Sequence, residues 1–218
     1  MRLPAALLVA ALLLAGCSGS GGKAPAGATP ASSSSTTSTG PPPPPRPTSD
    51  TLHLLEMPRM APALPSGGAE VATPVGFANG GGAGAAQSRW NYVVRHGTNI
   101  TGGEAHIWVN VKETLIVTTN PAQPQCTWQL TVLVGADNAP LNPCINEQAG
   151  TVQPGIKELV FPLTVDSPIQ TEQNESISLG LARSGFSLST NNAVDLLSGS
   201  SDHDSRLQLK GLAEEIPA

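Results

Sequence analysis

The chain has 218 residues, of which Gly (23) and Pro (21) make up about a fifth, while only 12% are charged and 3% aromatic. Its formal net charge of −5 leaves no basic footprint for nucleic acid. The composition excludes a collagen, a coiled coil and a polytopic membrane protein, and the scarcity of Glu, Lys and Arg argues against a helix bundle.

In chain order, the first element is an apolar run. Arg2 is followed by residues 3–15, almost unbroken in Leu, Ala and Val. A charged start and a short apolar core read as a signal peptide over residues 1–16. The run is shorter than the roughly 20 residues that cross a bilayer. It ends in Leu14-Ala15-Gly16-Cys17. These four residues resemble the lipobox of prokaryotic membrane lipoproteins. The resemblance implies a diacylglyceryl group on the Cys17 sulfur and cleavage before Cys17. The implied location is the extracytoplasmic face of a membrane, held by a lipid anchor, either at the cell surface or in the periplasm. Two or more acyl chains give stable anchoring, where a single chain gives only marginal binding. The alternative is an ordinary secretory signal with an incidental cysteine.

Residues 17–50 read as the lipidated cysteine followed by a disordered linker. Ser32-Ser33-Ser34-Ser35-Thr36-Thr37 gives way to prolines at 41–45 and 47. Such a stretch has too little apolar surface to offset its ordering entropy. Its proline part favours polyproline II. Residues 51–87 are Gly/Pro-rich; Leu52 and Leu54 offer one edge strand, and Pro58, Pro62 and Pro65 argue against a central one.

Residues 88–218 carry the compact domain, and they are written in strands. Trp90, Tyr92 and Val94 alternate with polar residues, as do Ala105, Ile107, Val109 and Val111. Leu115-Ile116-Val117 follows, then Trp128, Leu130, Val132 and Val134. Leu159, Phe161 and Leu163 form the next set, then Ile177, Leu179 and Leu181, then Val194 and Leu196, then Leu207 and Leu209. Period-2 alternation between turn residues predicts half-buried strands. Seven or eight of them predict an all-β fold, an antiparallel β-sandwich. The strand–loop–strand plan resembles a jelly roll, a module often appended to secreted enzymes and surface proteins.

Cys126 and Cys144 remain once Cys17 is acylated. An even pair in an oxidising compartment predicts a disulfide. Asn99-Ile100-Thr101 and Asn174-Glu175-Ser176 are N-glycosylation sequons, relevant in hosts that modify exported asparagines.

No nucleophile elbow, zinc-protease helix or phosphate loop is present in the sequence. No cofactor, metal or catalytic residue is therefore assigned. Ser200, Ser201, His203 and Asp204 crowd together, but a triad converges from separate segments. Asp202 and Asp204, with Asp195, are the carboxylates available to calcium, outside any EF-hand pattern. The candidate binding face is His106, Trp108 and Asn110. These alternate with the apolar residues at 105–111 and so point away from the core. An outward Trp is suited to stacking on a sugar ring or anchoring a protein. The alternative is burial of Trp108 under residues 51–87 or a terminal strand. The sequence thus predicts a non-enzymatic, lipid-anchored envelope lipoprotein whose β-sandwich binds an extracytoplasmic protein or glycan. A structural accessory subunit of an envelope assembly is the alternative, and a hydrolase with an unrecognised site is a third.

Overall fold

The computed structural model describes residues 48–77, 89–117, 126–135, 139–147, 150–184 and 192–215. The lipobox with Cys17 and the linker up to residue 47 lie outside the described residues. The described residues belong to one compact unit, Pro44–Ala218. They form strands and no helix, an all-β sandwich-like fold as the alternation predicts.

The strands are, in chain order, β1 (Thr48–Ser49), β2 (Thr51–Leu54), β3 (Met60–Ala61), β4 (Val71–Pro74), β5 (Gly76–Phe77), β6 (Arg89–Val93), β7 (Thr98–Ile100), β8 (Gly103–Val111), β9 (Leu115–Val117) and β10 (Trp128–Val134). They continue as β11 (Ala139–Leu141), β12 (Cys144–Ile145), β13 (Gly150–Val152), β14 (Gly155–Leu163), β15 (Ile169–Thr171), β16 (Ser176–Arg183), β17 (Val194–Ser198), β18 (Arg206–Leu209) and β19 (Glu214–Glu215). The eight strands with clear alternation are β6, β8, β9, β10, β14, β16, β17 and β18. The additional ones are mostly two or three residues long, too short to carry a readable period.

Two sheets face one core. The larger has the order β3-β2-β18-β8-β17-β4, with β14 on the other edge of β8. The smaller has the order β11-β10-β16-β5, with β12 also on β10 and β6 also on β16. All pairs in both sheets are antiparallel except β5–β16, which is parallel. Their inner faces meet in a single apolar cluster that includes Trp90, Trp128, Phe161, Ile107, Leu179 and Leu207. The β14–β8 register runs unbroken from Gly155↔Val111 to Leu163↔Gly103, which makes β8 and β14 the longest paired strands of the larger sheet.

The opposite edge of β8 is shared. β18 pairs with residues 103–106 and β17 with residues 108–111. The sheet forks at this change of partner. Ser205 fills the fork: the Trp108 N–H donates to its Oγ at 2.8 Å, and that hydroxyl donates to the Leu197 carbonyl at 2.6 Å. Ser205 is fully buried, so its hydroxyl satisfies backbone groups that water does not reach. Gly103 closes the other end of this seam, because a Cβ there would lie 2.0 Å from the Gln208 carbonyl oxygen.

The segment 51–87 corrects the expectation of at most one edge strand before residue 88. It supplies β2, β3, β4 and β5, and β2 lies inside the larger sheet between β3 and β18. Leu52 and Leu54 are wholly buried. The prolines bound these strands instead of breaking them: Pro58, Pro62 and Pro65 fall in turns, and Pro74 ends β4 at the sheet margin. The turn after β2 also reaches the smaller sheet, since Trp90 Nε1 donates to the Leu55 carbonyl at 2.9 Å.

Cys126 and Cys144 form a disulfide, with Cα atoms 5.3 Å apart. It ties the entry of β10 to β12, where Cys144 stands opposite Gln129.

Candidate binding face

Register fixes which side chains stand together on the outer face of the larger sheet. Residues directly opposite in an antiparallel pair share a face. Thr51, Gln208 and Glu104 form one row across β2, β18 and β8. His53, Arg206 and His106 form the next, with Val160 of β14 beyond His106. Leu197, Trp108 and Glu158 form the third, and Asp195, Asn110 and Ile156 the fourth. The sequence-predicted residues His106, Trp108 and Asn110 thus occupy three successive rows on one strand.

Trp108 is half-buried. Its ring packs against His203, with centroids 5.1 Å apart and planes tilted by 57°. His203 belongs to the turn 199–205 between β17 and β18, and its Nδ1 pairs with Glu70 Oε2. Glu70, in the described part of the 51–87 segment, therefore reaches Trp108 through His203. Val160 and Ile156, in the adjoining rows, are 43% and 50% exposed. These two apolar side chains flank Glu158, which stands directly opposite Trp108.

Several charged groups of this face pair with one another. His106 Nδ1 lies 2.8 Å from Glu158 Oε1 and its Nε2 lies 3.0 Å from Glu104 Oε1. The His106 hydrogen bond and its charge hold the Glu104 carboxyl below the usual carboxylate range. Asp204 takes His53 Nδ1 at 2.6 Å and Arg206 Nη1 at 3.4 Å. Asp195 pairs with Lys112 at 3.0 Å.

The crowded run at 200–204 is drawn to separate partners. Ser200 Oγ accepts the N–H groups of Asp202 and His203 and so shapes the turn. His203 engages Glu70 while Asp204 engages His53. Among the described residues, no group of three or more His, Cys, Asp or Glu side chains is arranged to hold a metal ion. Of the carboxylates considered for calcium, Asp195 and Asp204 are engaged by Lys112 and by His53 with Arg206.

Two of the cavities among the described residues border the sandwich. One, of about 350 Å³, lies at the end of the outer face and is lined by Asp50, Thr51, Glu104, Gln208 and Lys210 among others. The other, of about 360 Å³, lies between residues 141–143 and 162–169. The first was not legible in the sequence, because it forms where β2, β8 and β18 meet. The sequons are both on the surface: Asn99 is exposed in β7, and Asn174 is exposed in the turn before β16 with φ of 73°.

No protein-family model and no curated protein matches the chain. Among solved structures, a CocE/NonD family hydrolase from Staphylococcus aureus is similar with a TM-score of 0.47 and 12% identity, over 76% of this chain and 37% of that one. An aminopeptidase from a marine sediment Thaumarchaeota archaeon is similar with a TM-score of 0.45 and 10% identity, again over 76% and 37%. The chain spans just over a third of the length of these enzymes, and a likeness of this degree carries no argument about activity.

Proposed function

We propose that this protein is a lipid-anchored envelope lipoprotein whose β-sandwich binds extracytoplasmic material through the outer face around Trp108. One observation carries the reading. A half-buried Trp stands on the outer face of a central strand, braced by His203 and bordered by exposed Val160 and Ile156. Aromatic anchors of this kind dominate binding surfaces, because they bring large apolar area at little cost in side-chain freedom. The anchor itself rests on the likeness of Leu14-Ala15-Gly16-Cys17 to a lipobox.

The test uses the full chain in its native membrane. Cys17→Ser is expected to lose the acyl label and to leave the detergent phase. Retention of label and wild-type partitioning would remove the anchor from the reading. Trp108→Ala is expected to cost less than about 2 kcal/mol of stability and to abolish co-sedimentation with purified envelope material. A fully folded Trp108→Ala protein that still co-sediments would overturn the binding face.

A further inference from the structure

We infer that the ligand of the Trp108 face is an extended, uncharged polyhydroxylated chain: a neutral oligosaccharide that stacks one ring on Trp108 and lays its far end in the cavity at Glu104, Gln208 and Lys210. This inference rests on the reading that the Trp108 face is the binding face.

Three features of that face select this ligand class. The first is where the backbone is spent. β18 and β8 lie inside the larger sheet, with ladders on both edges. A peptide bound as an added strand needs a free sheet edge. On these inner strands, recognition falls to side chains alone.

The second feature is charge. Glu70, Asp195 and Asp204 each lie against a histidine, lysine or arginine of the face, and Glu104 and Glu158 share His106. A charged ligand would have to displace these partners. A hydroxyl needs no such exchange, because it both donates and accepts. Gln208, Asn110, Arg206 and Glu104 together offer donors and acceptors on the rows either side of Trp108. Glu104 does so with a carboxyl held in its accepting form by His106.

The third feature is length. The row of Glu104 and Gln208, which borders the cavity, is four residues along β8 from Trp108. At the rise of a β-strand this separation is roughly 13 Å, or about three linked sugar rings. Trp108 supplies the flat apolar surface that matches the C–H face of one ring, and the cavity of about 350 Å³ has room for another. The His106 and Arg206 row lies between them.

The full mature protein in detergent is titrated calorimetrically with neutral gluco-, manno- and galacto-oligosaccharides of increasing length. Polygalacturonate fragments, chitosan fragments and the proline-rich peptide of residues 41–47 are titrated alongside. One neutral series is expected to bind, with affinity that rises up to about three or four rings and then levels off. Trp108→Ala is expected to lose at least about tenfold at every length. Gln208→Ala is expected to remove only the gain from the longer chains while leaving the melting temperature unchanged. Stronger binding of a charged series or of the proline-rich peptide would overturn the inference. So would an affinity independent of length, or no binding to any neutral series. If envelope co-sedimentation still depends on Trp108 in those cases, the binding-face reading stands and only the ligand class falls. If co-sedimentation does not depend on Trp108, both fall.

Discussion

Ser205 carries more of the fold than a small polar residue usually does. Its hydroxyl sits at the point where β8 changes partner, and it is the hydrogen-bond partner of both the Trp108 N–H and the Leu197 carbonyl. Ser205→Ala leaves a buried donor and a buried acceptor unmet, each worth about 1–3 kcal/mol. The expected loss is about 2–6 kcal/mol, read as a lower urea midpoint with an unchanged slope. Tyr92 makes a second buried polar contact, donating its hydroxyl to Glu214 Oε2 at 2.9 Å. Burial first, and then this bond to a carboxylate, push the Tyr92 pKa well above its ordinary value. The native state therefore favours the neutral phenol, whereas an unfolded tyrosine ionises near pH 10. Its contribution is intact below about pH 10 and falls as the pH rises further, by at most about 1.4 kcal/mol per unit. Unfolding measured between pH 9 and 11 should show that slope, and Tyr92→Phe should flatten it despite a lower stability at neutral pH.

At the scale of the element, β14 shows how the larger sheet limits unwanted pairing. Among the described residues β14 pairs only with β8 and so has an edge nine residues long. Two features blunt it. Pro162 lacks an N–H, and Lys157, on the core-facing side of the strand, reaches Glu147 at 3.1 Å. An inward charge and a proline are devices that keep exposed edges from joining other chains. Glu147 also accepts Trp128 Nε1 at 3.1 Å. Burial works to raise the Glu147 pKa, but the hydrogen bonds from Trp128 and Lys157 outweigh it and hold the carboxyl below the usual range. That contribution is present above the ordinary carboxylate pKa and is lost as the pH falls through the lowered one. Replacing both guards, Lys157→Ile with Pro162→Thr, is expected to produce dimers or larger species in size-exclusion chromatography where the wild type stays in its own peak. The disulfide acts on the other sheet. Removing it by Cys126→Ser with Cys144→Ser is expected to cost about 3 kcal/mol, as for a closed loop of this size, measured by denaturant unfolding.

For the whole molecule, the consequential feature is where the sandwich begins. β1 pairs with β19 and β2 pairs with β18, so the first and last described strands are neighbours. Leu209 N–H donates to the Asp50 carbonyl at 2.8 Å, and Leu54 N–H donates to the Ser205 carbonyl at the same distance. A chain started at residue 88 loses Leu52, Leu54 and Met60 from the core and bares the edge of β18. It is expected to lack a cooperative thermal transition, whereas a chain started at residue 48 keeps one. Calorimetry of the two distinguishes them.

The sequence by itself determined the fold class and the eight main strands. Side-chain alternation is a local property, and Ile107, Leu130 and Phe161 display it without reference to any partner. It also placed Trp108 on the outward side of β8, because period 2 leaves only two sides, and it paired Cys126 with Cys144 by elimination. Pairing partners are a different matter. The two-residue strands β3, β5 and β12 are held by neighbours distant in sequence, and no local pattern announces them. Residues 51–87 offered at most one edge strand because Pro and Gly are frequent there, yet Pro58, Pro62 and Pro65 sit in turns while Leu52, Leu54 and Val75 fill the core. Tertiary structure alone decided that Ser205 bridges the fork in the larger sheet. It also decided that Glu70 and His203 brace Trp108 from segments 133 residues apart. Such contacts depend on register and sheet order, which arise from the sum of all pairings and cannot be read from any single stretch.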